Sequence, residues 1–481
     1  MRGSSGPAKR APRRSIVPTV EAPFRAATAL RPRRRSAVAL IGVVLVAGAA
    51  YVVGHRGGSA PSLERVPGGP VVHVSAFAHH GRLAFVSHGR LWLLDGSKGK
   101  LLQLSGPSGT FVPQSPTFSV DGTWLAYLEA SPNGSTPSQL WLARADGSDA
   151  RAVRGIADPV LVGWSPRSDL LAVAAGPERR TQPCPCFSQT TIRLVSPDGS
   201  SRVLMHGPWV YGAAWSPDGT ELAVAANNRG GTLATYSIDT GARTVWLSTG
   251  PHDRLNGMPE AIVEAAGWWN RQGIGFWAFG YGSIHNNDAT PLDVVAAPGA
   301  RPRPLGQTLS DGTTDAVAAS PRGDVALVTD HGGGRAIWQD KRVDLCTPAC
   351  RPVLRTPASK VSVDPVWSPD GRTLAFAEAP NVLVGPWSQR TVAAWYAAHT
   401  IWLDDTATGT LHKVPAAHGA TSLTWSPDGK SLLYVRDDAL WLLPNLTGKP
   451  VEIASPLFAQ RSWPQYYAQI AWSAQFAWSA Q

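Results

Sequence analysis

An all-β repeat fold is predicted for this 481-residue chain by three features of its sequence. Glycine and proline, at 48 and 41 residues, are too frequent for a helical bundle of this length. One pentapeptide occurs intact three times, as Trp215-Ser216-Pro217-Asp218-Gly219, Trp367-Ser368-Pro369-Asp370-Gly371 and Trp425-Ser426-Pro427-Asp428-Gly429. A short apolar run of strand-forming residues follows each copy, for example Leu222-Ala223-Val224, Leu374-Ala375-Phe376 and Leu432-Leu433-Tyr434-Val435.

Taken from the N-terminus, residues 1–36 carry ten Lys/Arg and one acid, nearly all of the formal net charge of +10. A nucleic-acid-binding body spreads basic charge over a folded face, so this distribution excludes nucleic acid as the partner of the main domain. The tail reads instead as a disordered cytoplasmic arm whose arginines meet anionic lipid headgroups. Residues 37–54 hold no charge, and at about 1.5 Å per residue they nearly cross a hydrocarbon core of about 30 Å as one transmembrane helix. Arg31, Arg33, Arg34 and Arg35 abut its N-terminal end. The positive-inside rule then keeps the N-terminus cytoplasmic and makes the segment a single-pass signal-anchor in the cell membrane, with everything after it extracytoplasmic. Ala47-Gly48-Ala49 leaves a cleaved signal peptide as the alternative. Residues 55–70 form a Gly/Ser/Pro linker.

The pentapeptide is a strand-to-strand turn: Pro presets φ, Asp can bond its own backbone, and Gly accepts the conformation that follows. Degenerate copies start at Phe77, Phe118, Trp164, Trp269 and Ala319, and a shortened one at Trp472. The spacing of about 41 to 58 residues is that of one four-stranded propeller blade. Behind each turn come a second strand, a loop, a third strand such as Leu140-Trp141-Leu142 or Ile401-Trp402-Leu403, a polar turn and a fourth strand. One such sheet cannot bury both faces, so blades must pack around an axis, with the aromatic before each turn packed between blades. The expected domain is therefore a β-propeller of four-stranded antiparallel blades over 71–459, its first blade beginning at His73, followed by a C-terminal segment 460–481. Eight units are recognisable. The tail carries Ala471-Trp472-Ser473 and the near-copy Ala477-Trp478-Ser479, and can supply an inner strand that closes the ring against the first blade. If that strand replaces the first unit's own, the count can drop to seven, the alternative to eight.

The pentapeptide and the apolar strand behind it resemble the repeat of TolB-like β-propellers, and are similar to the repeat in the propeller domains of prolyl-oligopeptidase-type peptidases. The likeness spans about residues 71–459 and implies the propeller fold. It implies no activity. The linker stands where TolB carries a small α/β domain, and the chain lacks the G-x-S-x-G nucleophile elbow of the peptidases, so no catalytic residue carries over.

Function is expected on the rim made by the B–C and D–A loops, because the long connections, 176–190, 280–290, 379–399 and 251–261, fall there. Phe187, Tyr281, His285, Trp387, Trp395 and Tyr396 form the candidate binding surface, since aromatic platforms beside amides suit sugars and peptide segments. The inner strands add His73, Gln114, Tyr211, Glu264, Asp315 and Asp364 as a mildly acidic channel mouth. No metal-binding spacing and no cofactor motif is present. Outside the membrane, disulfides are the default for the four cysteines. Cys346 and Cys350 flank a C–D turn and face each other across the hairpin. Cys184 and Cys186 form a local loop clamp or, alternatively, a redox or copper site. The expected function is a membrane-anchored extracytoplasmic scaffold that binds a protein, peptide or glycan and has no catalysis of its own. The alternative is a hydrolase or lyase working in the channel, with Glu264, His285 and Asp364 supplying its base and charge stabiliser.

Overall fold

The turn chemistry of the pentapeptide is realised atom by atom. Ser216 Oγ donates to Asp218 Oδ1 at 2.7 Å and accepts the Glu221 N–H at 2.9 Å, while Asp218 Oδ1 also accepts the Thr220 N–H at 3.1 Å. Those hydrogen bonds, that from Ser216 foremost, hold the Asp218 carboxyl below the usual carboxylate range. The same Ser–Asp pair recurs at Ser119–Asp121, Ser368–Asp370 and Ser426–Asp428. Where the Asp is lost, the serine alone caps the turn, accepting the Arg167 N–H at Ser165 and the Arg322 N–H at Ser320. Gly219 has φ 68°, and a β-carbon there would meet Arg167 Cβ at 2.8 Å and Ser165 Oγ at 2.9 Å. Glycine is thus needed for the approach of one turn to the turn before it as well as for its own conformation.

The computed structural model describes residues 63–65, 68–104, 112–130, 138–176, 189–228, 230–250, 253–259, 261–270, 272–280, 290–308, 316–332, 337–347, 349–382, 388–457 and 475–480. The basic tail and the apolar segment 37–54 lie outside them. Among the described residues no helix is long and apolar enough to cross a membrane. What they form is an all-β repeat of antiparallel sheets packed face to face as a β-propeller. Each sheet is named here by the residue that closes its inner strand before the turn. The Trp215 sheet runs Trp209–Trp215, Glu221–Asn227, Gly231–Ser237 and Arg243–Ser248 in that order. The Phe118, Trp164 and Trp367 sheets repeat this meander over 112–152, 160–206 and 360–413. The Trp269 run (262–308) and the Ala319 run (317–352) do so too, joined into one larger sheet by a single pairing of Thr308 with Thr329.

The first and last described strands are built into sheets that the neighbouring sequence does not make. The C-terminal strand Phe476–Ser479 pairs with Arg82–Ser87, placing Phe476 opposite Phe85 and Trp478 opposite Leu83, and so becomes the inner strand of the first sheet. The closing strand expected from the tail is present, and it is the second of the two near-copies; the first lies outside the described residues. The N-terminal strand Val71–His73 pairs instead with Val451–Ser455, the outer strand of the Trp425 sheet, and Leu63–Arg65 pairs with it in turn. This corrects the expectation that His73 opens the first inner strand and lines the channel. The physical reason is competition: the tail strand brings two aromatics into the gap, whereas Val71–His73 covers an outer edge that otherwise exposes unpaired backbone groups. Phe77, Leu83, Phe85 and Phe476 then share a core with Leu433, Leu440 and Ile453 across the seam.

The sheets are clasped through the inner-strand tryptophans. Trp164 Nε1 donates to the Thr117 carbonyl at 3.1 Å, Trp215 to Gly163 at 2.9 Å, Trp367 to Ala318 at 3.0 Å and Trp425 to Val366 at 3.3 Å. In each case the acceptor is the residue just before the preceding sheet's own closing residue. A second clasp joins the Trp215 sheet to the Trp269 run, where Asn227 donates to the Val263 carbonyl and accepts its N–H. Substituting Trp367→Phe keeps the ring but removes the indole donor to the Ala318 carbonyl, which stays paired within its own sheet. The expected loss is about 0.5–1.5 kcal/mol of unfolding free energy, read from urea titrations of the parent and the variant; no loss would mean that the indole packs without bonding.

Candidate functional site

The long connection between the second and third strands of the Trp367 sheet folds into a helix, Gln389–Ala397. Ser388 caps it: its hydroxyl accepts the Thr391 N–H at 3.1 Å, and Thr391 Oγ1 accepts the Ser388 N–H at 3.1 Å. Val392 and Trp395, three residues apart, are buried beneath it, while Ala393, Ala394 and Ala397 are exposed. Trp395 is only 5% exposed. Its indole N–H donates to the Pro380 carbonyl at 2.9 Å, and its ring meets Trp338 and His399 edge-on at 5.8 and 4.5 Å. The residue therefore anchors the helix to the sheet and offers no face to solvent. Tyr396 is half-buried, 5.1 Å from Trp395 between ring centroids. Phe187, Tyr281, His285, Trp387, Asp315, Cys184 and Cys186 lie outside the described residues.

Of the channel-mouth residues, Gln114, Tyr211, Glu264 and Asp364 sit on the inner strands of four different sheets. Tyr211 is buried and the other three are partly exposed. These inner strands share a feature that the sequence does not announce, a β-bulge in mid-strand, often with a residue in the left-handed region: Ser115 (φ 53°), Gly163 (φ 131°), Gly212 (φ 90°), Asp364 (φ 54°) and Ser422 (φ 50°). At the Asp364 bulge the carboxylate accepts a hydrogen bond from Thr421 Oγ1 at 2.9 Å, tying the inner strands of the Trp367 and Trp425 sheets together.

His399, which follows the helix, is fully buried and lies within the field of Asp364. Its Nδ1 is 2.9 Å from the Ala420 carbonyl, which can only accept, so Nδ1 carries the proton. Nε2 then holds a lone pair with no hydrogen-bond partner among the described residues. Burial lowers the His399 pKa, and the attraction of Asp364 for the imidazolium only partly opposes it. The same rim carries a polar lock. Lys341, fully buried, donates to Asp330 Oδ1 at 2.7 Å and to the Gln339 carbonyl at 2.8 Å, and Asn381 donates to Asp340 Oδ1 at 2.8 Å. Burial lowers the lysine pKa against the pull of Asp330. Neither His399 nor Lys341 was a candidate from sequence, since lone His and Lys residues on loops carry no spacing signal.

Glu264 and Asp364 stand on different sheets with the Ala319 run between them, so the structure assembles Asp364 with Thr421 and His399. Among the described residues no group of three His, Cys, Asp or Glu side chains is placed to hold a metal ion. On the opposite rim, Cys346 and Cys350 form a disulfide across the turn, directly opposite one another in the strand register.

No protein-family model matches the chain, and no curated protein matches it. Similar solved structures include an oligogalacturonate lyase in complex with manganese, 14% identical with a TM-score of 0.42, covering 80% of this chain and 87% of that one. They also include the β-propeller domain of the Trilobed protease from Pyrococcus furiosus, 9% identical with a TM-score of 0.43, covering 71% and 97%. A prolyl endopeptidase structure is 14% identical with a TM-score of 0.42, covering 76% of this chain and 56% of that one. None of these likenesses bears on activity.

The buried neutral imidazole has a measurable signature. An unfolded histidine titrates near pH 6.5, and the folded value of His399 lies lower, so its contribution to stability is complete above about 6.5 and is lost as the pH falls toward the folded value. The urea midpoint of the parent should therefore drop more between pH 7.5 and 5.5 than that of His399→Gln; parallel drops would contradict this placement.

Proposed function

We propose that this chain is a membrane-anchored, extracytoplasmic propeller of eight blades whose B–C and D–A rim binds a protein, peptide or glycan partner. The observation that carries the reading is the difference between the two rims. On one, the turns are short and capped by their own side chains, as at Asp218, Asp370 and Asp405. On the other stands the helix Gln389–Ala397, anchored by Trp395 and presenting an even, alanine-rich outer face. A rigid scaffold with one elaborated rim is the usual arrangement for recognition. The anchor rests on the charge-free segment 37–54 behind a basic tail, and the blade count rests on five four-stranded sheets and one six-stranded sheet together with the Trp269 and Ala319 runs.

A second reading, a hydrolase or lyase, is favoured by one observation, the Asp364 carboxylate held on an inner strand at a left-handed bulge beside Thr421. His399 does not serve it as a base in this conformation, because the ring is closed off from solvent.

A photo-crosslinking amino acid placed at position 394 of the full chain in native membranes tests the first reading, with position 240 on the opposite rim as control. The expected result is a discrete adduct from 394 alone, recovered with the membrane pellet. Equal adducts from both positions, or none from 394, would contradict a binding rim, and an adduct in the soluble fraction would contradict the anchor.

A further inference from the structure

A cleft of about 350 Å³ opens between the Trp164 and Trp215 sheets. Its origin is legible in the repeat. In four sheets, the second-strand position two residues after the leucine opposite the closing aromatic is itself aromatic, and its third-strand partner is tryptophan: Phe85 with Trp92, Tyr127 with Trp141, Phe376 with Trp402 and Tyr434 with Trp441. In the Trp215 sheet the equivalent pair is Val224 with Ala234. The neighbours on that face are small as well, Ala226 paired with Thr232. The volume of an aromatic pair is thus missing where four other sheets fill it, and the end of the Trp164 sheet, Met205 to Pro208, walls the gap.

The cleft's polar lining is His206, Thr232, Tyr236 and Arg243. Arg243, in register with Tyr236 on the same face, is the one formally charged residue of the lining, and no acid lines it. Among the described residues no carboxylate pairs with Arg243. Beside the mouth, Trp209 follows Pro208, and Val245 sits opposite Ala234; both are among the exposed large hydrophobic residues. An apolar floor with a single convergent cation is how sites for small amphiphilic anions are built.

We propose that this cleft binds an aromatic carboxylate, its ring occupying the space of the absent aromatic pair and its carboxylate on the Arg243 guanidinium. The volume lies at the lower end of small-molecule sites, which run from about 300 to 1,000 Å³ and match one ring system with a short acidic arm.

N-acetyl-tryptophan, its neutral amide and sodium acetate, titrated into the full chain and read by calorimetry, test this. The acid should bind at least about tenfold more tightly than the amide, the margin expected for a charge-assisted hydrogen bond, and acetate should not bind measurably. Arg243→Gln should bring the acid down to the level of the amide. Ala234→Trp should abolish binding of both while keeping the fold, because it restores the tryptophan of four other sheets. Should that variant fail to fold, Arg243→Gln decides alone. Equal binding of acid and amide, no binding of either, or an unchanged affinity in Arg243→Gln or in folded Ala234→Trp would overturn the proposal.

Discussion

The hydrogen bond from one sheet's inner-strand indole to the carbonyl just before the preceding sheet's closing residue is the contact on which the ring depends. It is directional, so it sets the height of each sheet against its predecessor as well as the distance, which apolar packing alone leaves loose. The rest of the pentapeptide serves that reach. Ser216 and Asp218 hold the strand end in place, and Gly219 and Gly371 let each turn settle against Ser165 and Ser320 of the turn before it. In the first sheet the closing strand's Trp478 donates instead to the His80 carbonyl of that sheet's own turn and lies tilted against Phe77 at 5.8 Å between ring centroids.

A ring held from its inner strands leaves its two rims under different constraints. The turns that follow the tryptophan must keep their length, or the clasp is lost. The connections on the other rim carry no such duty, and there the chain has inserted a capped helix, a buried lysine–aspartate pair and a histidine sealed from solvent. A buried ion pair adds little net stability, since the desolvation of both groups offsets their attraction. Its value at Lys341–Asp330 is geometric: it fixes a connection against which Asp340 and Asn381 then bond.

Much of the fold was legible because each module repeats a local rule. The turn chemistry, the inter-sheet role of the tryptophans, the cross-hairpin pairing of Cys346 with Cys350 and the use of the tail as an inner strand all follow from short-range patterns. What the sequence left open depended on competition or convergence. Val71–His73 has strand-forming character wherever it pairs, and it lies on the outer edge while Phe476–Ser479 takes the inner position. The rim helix has just two inward apolar residues over nine positions, a pattern too sparse to separate from a loop, although the Ser388 to Thr391 spacing was a capping signal that could have been read. The grouping of Asp364, Thr421 and His399 joins residues from two sheets, and the vacancy opposite Val224 emerges only when strand register aligns the modules.

The central claim, that the C-terminal strand is a full member of the ring and not an appended edge, is open to one direct measurement. Amide hydrogen exchange on the full chain should show the amides of 476–479 that pair with 82–85 protected to the same degree as those of the inner strand Thr421–Trp425. Exchange of 476–479 at the rate of exposed backbone, with 421–425 still protected, would contradict the closure.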